Sequence, residues 1–203
     1  MKLHTRNRSP WETGLDRLVF FSDAVFAIAI TLLALEIRLP NPGPAGDESS
    51  LLHGLIEMWP KYLGYAISFL VIGGFWIGHH RKFRYIIRYD NRLMVINLFF
   101  LMTVAFVPFP TSVISEYGNR VATIFYAIVI AVAGLLSGTL FWYASFKRRL
   151  IDPAIDERSR KREMWIPLLI PAVFLGSIGI SFIDPDIAKI SWALVAVVTM
   201  IVR

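Results

Sequence analysis

The chain alternates long apolar runs with short charged intervals. Its first run, residues 18–39, is 22 residues long and holds Asp23 as its only charged side chain before Glu36 near the far end. At ~1.5 Å per residue such a helix crosses a hydrocarbon layer of roughly 30 Å. Further runs at 59–79, 93–115, 121–146, 165–183 and 187–202 predict six transmembrane helices in all. The last, with 16 residues, is short for a perpendicular crossing. Pro108 and Pro110 interrupt the third span near its outer end, and Pro167 and Pro171 sit in the fifth, so kinks are predicted there. Between the first two spans, Leu51, Leu52, Leu55, Ile56 and Trp59 recur at helical spacing behind Ser49 and Ser50 and predict a small interfacial helix. No internal repeat divides the chain, so residues 1–203 read as one all-α, polytopic membrane domain.

Composition places the whole chain in the bilayer: 56% of residues are hydrophobic, 18% are charged, and mean hydropathy is +0.57. The absence of cysteine excludes disulfides, thiolate chemistry and Cys-ligated metal centres. The first run is longer than a signal-peptide core and lacks an A-x-A-like site behind it, so it reads as retained. Basic residues crowd the N-terminal tail, the 81–92 loop and the 147–162 loop, leaving only Arg38, Lys61, Arg120 and Lys189 on the other side. Positively charged loops stay cytoplasmic, which puts both termini there. The net charge of +6 then reflects topology and contact with anionic lipid, with little support for nucleic-acid binding.

On the first helix, Ile28, Leu32 and Leu35 form one aliphatic stripe beside a row of small residues, Ala24, Ala27, Thr31 and Ala34. Periodicity alone lets the stripe face lipid, another helix, or the axis of an oligomer. Asp23 lies some 140° away from Ile28 around the helix, pointing into the subunit. An ionisable group there needs a partner.

The segment RLVFFSD, read as R-x-x-x-F-S-D at Arg17, Phe21, Ser22 and Asp23 and followed by AVFAIAIT, resembles the signature of transmembrane protein 175, the endosomal and lysosomal potassium channels. The bacterial members with a single six-helix unit are the nearest in kind. The resemblance covers most of the chain, including a second span that ends in FWIGHHRKF. It implies a potassium-preferring cation channel, a homotetramer in which the first helix of each subunit lines a central pore. Its partners would be membrane lipid and monovalent cations, its location the bacterial plasma membrane, and it would need no cofactor beyond permeant K+. Carried over by position, the family's apolar constriction falls on Ile28, with further rings at Leu32 and Leu35. The chain has no TVGYG-like segment, so no carbonyl-lined filter is expected.

A ring of branched aliphatic side chains closes a narrow pore by excluding water, because an ion would shed hydration where no oxygen replaces it. Thr31 offers a hydroxyl beside this ring or bonds back to its own helix. Glu36 follows Leu35 and either faces the mouth or pairs with Arg38. Arg17, Ser22, Asp23 and His79 or His80 are expected to form a polar network that locks helix position, with a proton relay as the sharper alternative. Adjacent histidines diverge by about 100° and cannot share a metal, and neither H-E-x-x-H nor G-x-S-x-G occurs, so no metal site and no catalytic residues are assigned. A secondary ion transporter or proton-coupled carrier is the competing reading, and a lipid-binding structural protein a third. A transporter would be expected to show repeat symmetry and broken midplane helices, whereas residues 18–39 contain neither Gly nor Pro. Trp11, Trp59, Tyr62, Trp76, Trp142, Trp165 and Trp192 lie near span ends, as interfacial belt residues do.

Overall fold

The structure, a computed structural model, describes residues 10–38, 48–146 and 149–192. Its helices are α1 (Pro10–Leu35), α2 (Glu48–Glu57), α3 (Trp59–Phe83), α4 (Asn91–Phe106), α5 (Pro108–Tyr117), α6 (Arg120–Ser145) and α7 (Glu157–Ser181). Among the described residues, five segments are long and apolar enough to cross a membrane: Thr13–Leu35, Trp59–Phe83, Asn91–Tyr117, Arg120–Ser145 and Glu157–Ser181. The sixth expected span, 187–202, lies mostly outside the described residues, although 185–192 are helical.

Helix ends follow local chemistry. Asp90 caps α4 by accepting from Leu93 N at 2.8 Å, Asn119 caps α6 by accepting from Ala122 N at 3.0 Å, and Asp156 caps α7 through Ser159 N at 2.7 Å. Gly118 closes α5 at φ 58°, a left-handed conformation that costs glycine little. Pro108 and Pro110 do interrupt the third span. Their missing N–H groups leave Val107 between α4 and α5, and the ladder resumes with Thr111 N donating to Val107 O at 3.1 Å. Pro167 and Pro171, in contrast, lie inside an α7 that runs as one helix.

α6 is the central element, packed against α4, α5 and α7. Its buried side is rich in small residues, including Ala127, Ala131, Gly134, Ser137 and Gly138. In lipid, close van der Waals approach holds helices together, since the hydrophobic effect no longer drives them to associate. Gly134 makes that approach possible: a Cβ there would sit 2.6 Å from Pro171 Cδ. Trp192 is buried rather than at a membrane belt, stacked on Tyr126 and Phe174 and donating to Ser177 Oγ at 2.7 Å.

At one end of the bundle the loops after α3 and α6 pair, with Ile87 N donating to Leu150 O at 2.9 Å and Asp152 N to Tyr85 O at 2.8 Å. They close a second apolar cluster that includes Phe83, Ile86, Leu93, Phe141 and Ile151. α7 begins eight residues before the expected span start at 165, because Asp156 starts the helix in the polar segment. α2 forms where the outer helix is expected and buries none of its residues in the subunit.

Candidate functional site

α1 packs on α3 and α4 with one face. Ser22, Phe26, Ala29 and Leu33, at i, i+4, i+7 and i+11, are all buried there. The other face is open. Ile28 is 58% exposed, Leu35 62% and Leu32 39%, continuing a row that starts with Arg17, Phe21 and Ala24. Ile28 and Leu35, seven residues apart, return to within about 20° of one another. The aliphatic stripe is therefore left largely uncovered by the described helices of the subunit.

Thr31 also lies on the open face, and its Oγ1 donates to Ile28 O at 2.8 Å, so the hydroxyl proton is held by its own helix. Glu36 follows the end of α1 and lines a cleft of about 330 Å³ with Leu32, Leu35, Phe106 and Phe109. Arg38 donates through Nε to Leu35 O at 3.2 Å, and Lys61 Nζ donates to Arg38 O at 3.3 Å, so the cation nearest in sequence is engaged by backbone.

The expected polar network divides into two. Ser22 Oγ donates to Leu18 O at 2.8 Å and accepts from Asn97 Nδ2 at 3.0 Å; Asn97 Oδ1 in turn lies 3.0 Å from His79 Nε2. His79 is buried, stacked on Phe83 with ring centroids 4.3 Å apart and met edge-on by Phe26. This ties α1, α3 and α4 at one level. Asp23, half-buried, instead accepts from Trp76 Nε1 at 2.9 Å, and the Trp76 ring lies 5.9 Å from that of His80. Arg17 is exposed on the open row and forms no ion pair with a described residue. The structure thus joins Ser22 to His79 through Asn97 and Asp23 to Trp76, and joins neither group to Arg17.

Residues that the motif does not contain make much of this arrangement. Asn97 is legible as a lone amide in an apolar run, and Trp76 does more than mark a membrane belt. Lys82, buried, donates through Nζ to Ser137 O at 3.0 Å and also to Ser137 Oγ. Glu163 is fully buried, with Arg81 Nε 2.8 Å from its Oε1 and Arg162 3.7 Å away. The Arg81 N–H does not align with that oxygen, and Oε2 has no hydrogen-bond partner, so the contact is an ion pair without a directed hydrogen bond. Glu163 falls in helical phase with Pro167 and Phe174, both buried, which is the signal that places it inside.

The family model described as Endosomal/lysosomal potassium channel TMEM175 matches residues 17–108. The chain is 44% identical over 146 residues to Potassium channel B446_29190 of Streptomyces collinus, covering 69% of each. It is 34% identical over 180 residues to Potassium channel Cha6605_3372 of Chamaesiphon minutus, covering 87% of this chain and 88% of that one. A solved structure described as a lysosomal potassium-selective channel TMEM175 homolog from Chamaesiphon minutus superposes with a TM-score of 0.81 at 31% identity, over 93% of this chain and 97% of that one.

Proposed function

The chain belongs to the endosomal/lysosomal potassium channel TMEM175 family, and from that membership and the open face of α1 we propose that it is a potassium-permeable channel. Four copies assemble about a central axis, and α1 of each lines the path. One observation carries this reading: α1 buries Ser22, Phe26, Ala29 and Leu33 while leaving Ile28, Leu32 and Leu35 uncovered on the opposite side. One helix encloses nothing, so a path lined by this stripe needs symmetric copies of it.

Ile28, Leu32 and Leu35 then form stacked aliphatic rings that act as a hydrophobic gate, closing by excluding water. Potassium passes more readily than sodium because it holds its hydration shell less tightly, and the resulting preference is modest. Glu36, next to the Leu35 ring, adds negative charge at the outer mouth, where it favours cations. Ser22–Asn97 and Asp23–Trp76 fix the rotation of α1 from the side away from the path. The distribution of Lys and Arg supports cytoplasmic termini, and the similarity to channels of Streptomyces collinus and Chamaesiphon minutus supports a bacterial plasma membrane.

Purified protein in liposomes, loaded with potassium and diluted into potassium-free buffer, tests the channel reading. Potassium efflux above that of protein-free liposomes is expected; no flux from correctly assembled protein would overturn it.

A further inference from the structure

A cleft of about 640 Å³ opens between the start of α4 and the end of α6, lined by residues that include Tyr89, Asp90, Asn91, Arg92, Tyr143 and Arg149. Its volume is in the range of ligand sites. Its charge is not balanced. The single carboxylate among the described lining residues, Asp90, is already engaged: Oδ1 accepts from Leu93 N at 2.8 Å, Oδ2 accepts from the Tyr143 hydroxyl at 2.8 Å, and Arg149 stands 3.8 Å away. Partial burial pushes the Asp90 carboxyl up, but these donors outweigh it and hold it below its ordinary value, so it is ionised at neutral pH. Against that one negative charge stand two guanidinium groups. Arg149 is more than half exposed, and Arg92 is exposed and forms no ion pair with a described residue.

The level of the cleft narrows the ligand. It lies where the span Asn91–Tyr117 begins and the span Arg120–Ser145 ends, which is the depth of lipid headgroups. The neighbouring Trp142 and Phe146 are exposed, presenting rings to the membrane beside the arginines. Guanidinium forks match the oxygens of a phosphate, and the exposed Asn91 amide adds a donor. We propose that this cleft binds the phosphate-bearing headgroup of an anionic phospholipid, held by Arg92 and Arg149. A soluble phosphate has the same chemistry but gains nothing from the membrane-facing rings.

Binding to the full-length, delipidated protein in detergent tests this without reference to conduction. The probes are dioctanoyl phosphatidylglycerol, dioctanoyl phosphatidylcholine and inorganic phosphate. Phosphatidylglycerol should bind about ten-fold more tightly than phosphatidylcholine, and the double variant Arg92→Gln with Arg149→Gln should lose about that factor. Asp90→Asn keeps a residue able to cap α4 and removes the opposing charge, so phosphatidylglycerol should bind more tightly. Arg158→Gln, an exposed basic residue outside the cleft, should change nothing. Equal affinity for the two lipids, or an equal loss in Arg158→Gln, would overturn the site. Inorganic phosphate binding with the same arginine dependence while lipid fails would overturn the lipid assignment. Should the double variant not fold, Asp90→Asn decides: unchanged or weaker binding defeats the proposal.

Discussion

Asn97 of α4 donates its side-chain amide to Ser22 Oγ of α1 across 3.0 Å, while its carbonyl oxygen meets Nε2 of His79 from α3. One amide thereby fixes the azimuth of α1 against two neighbours. All three side chains are buried, so removing the amide leaves the Ser22 oxygen without a donor and the His79 Nε2 without a partner. Asn97→Leu should cost about 1–3 kcal/mol for polar groups left without partners. A lowered melting temperature of the purified protein checks it, and an unchanged one would show that α1 is held by packing alone.

Asp23 and Trp76 make the second tie, and here the two partners respond differently. Asp23→Asn keeps an oxygen able to accept from Trp76 Nε1, so assembly should survive. Trp76→Phe removes the donor and a hydrogen bond to a charged group, a loss of about 1.5–3 kcal/mol. Thermal melts of both variants separate them. Potassium current recorded against pH on Asp23→Asn tests the relay reading, which requires a pH response that this variant lacks.

At the far side of α3, the Arg81–Glu163 ion pair joins α3 to α7 beside the buried Lys82. Glu163→Gln leaves the Arg81 guanidinium without its counter-ion in a water-poor site. A destabilisation of about 3–5 kcal/mol is expected, as for breaking a buried pair by neutralising one member. The measurement is the melting temperature, and the loss should be partly restored by Arg81→Met in the same chain.

Ile28→Asn should hydrate the proposed aliphatic gate at its first ring. Single-channel conductance should rise and discrimination between potassium and sodium should fall, since an amide oxygen replaces part of the ion's lost water. Reversal potentials under mixed-ion gradients read the second effect.

The five described spans were legible because each is a long apolar run, and the stripe of Ile28, Leu32 and Leu35 because it repeats at the helical period. The buried face of α1 was not: Phe26, Ala29 and Leu33 pack inside, whereas the small residues Ala24, Ala27, Thr31 and Ala34 lie on the exposed side with the stripe. What periodicity gave for Asp23 was a direction without a partner. Trp76, His79 and His80 sit at different angles around α3, and only packing decides that Trp76 meets the carboxylate while His79 turns to Asn97. Asn97 stands out in its run, yet its bond to Ser22 spans 75 residues of sequence, beyond the reach of any local pattern. Glu163 was hidden by Lys161 and Arg162, which make the segment read as a solvated basic loop although the helix has already begun. Trp192 sits near a span end, where belt residues are common, but two aromatic rings cover it.

The open face of α1 can be tested with a single thiol, because the chain contains no cysteine of its own. Ile28→Cys and Val95→Cys place that thiol on exposed positions of α1 and α4. Silver ions applied to potassium-conducting protein should block the current through Ile28→Cys and leave Val95→Cys untouched. Persistent current in assembled Ile28→Cys, or block at Val95→Cys instead, would contradict a path lined by the Ile28, Leu32 and Leu35 stripe.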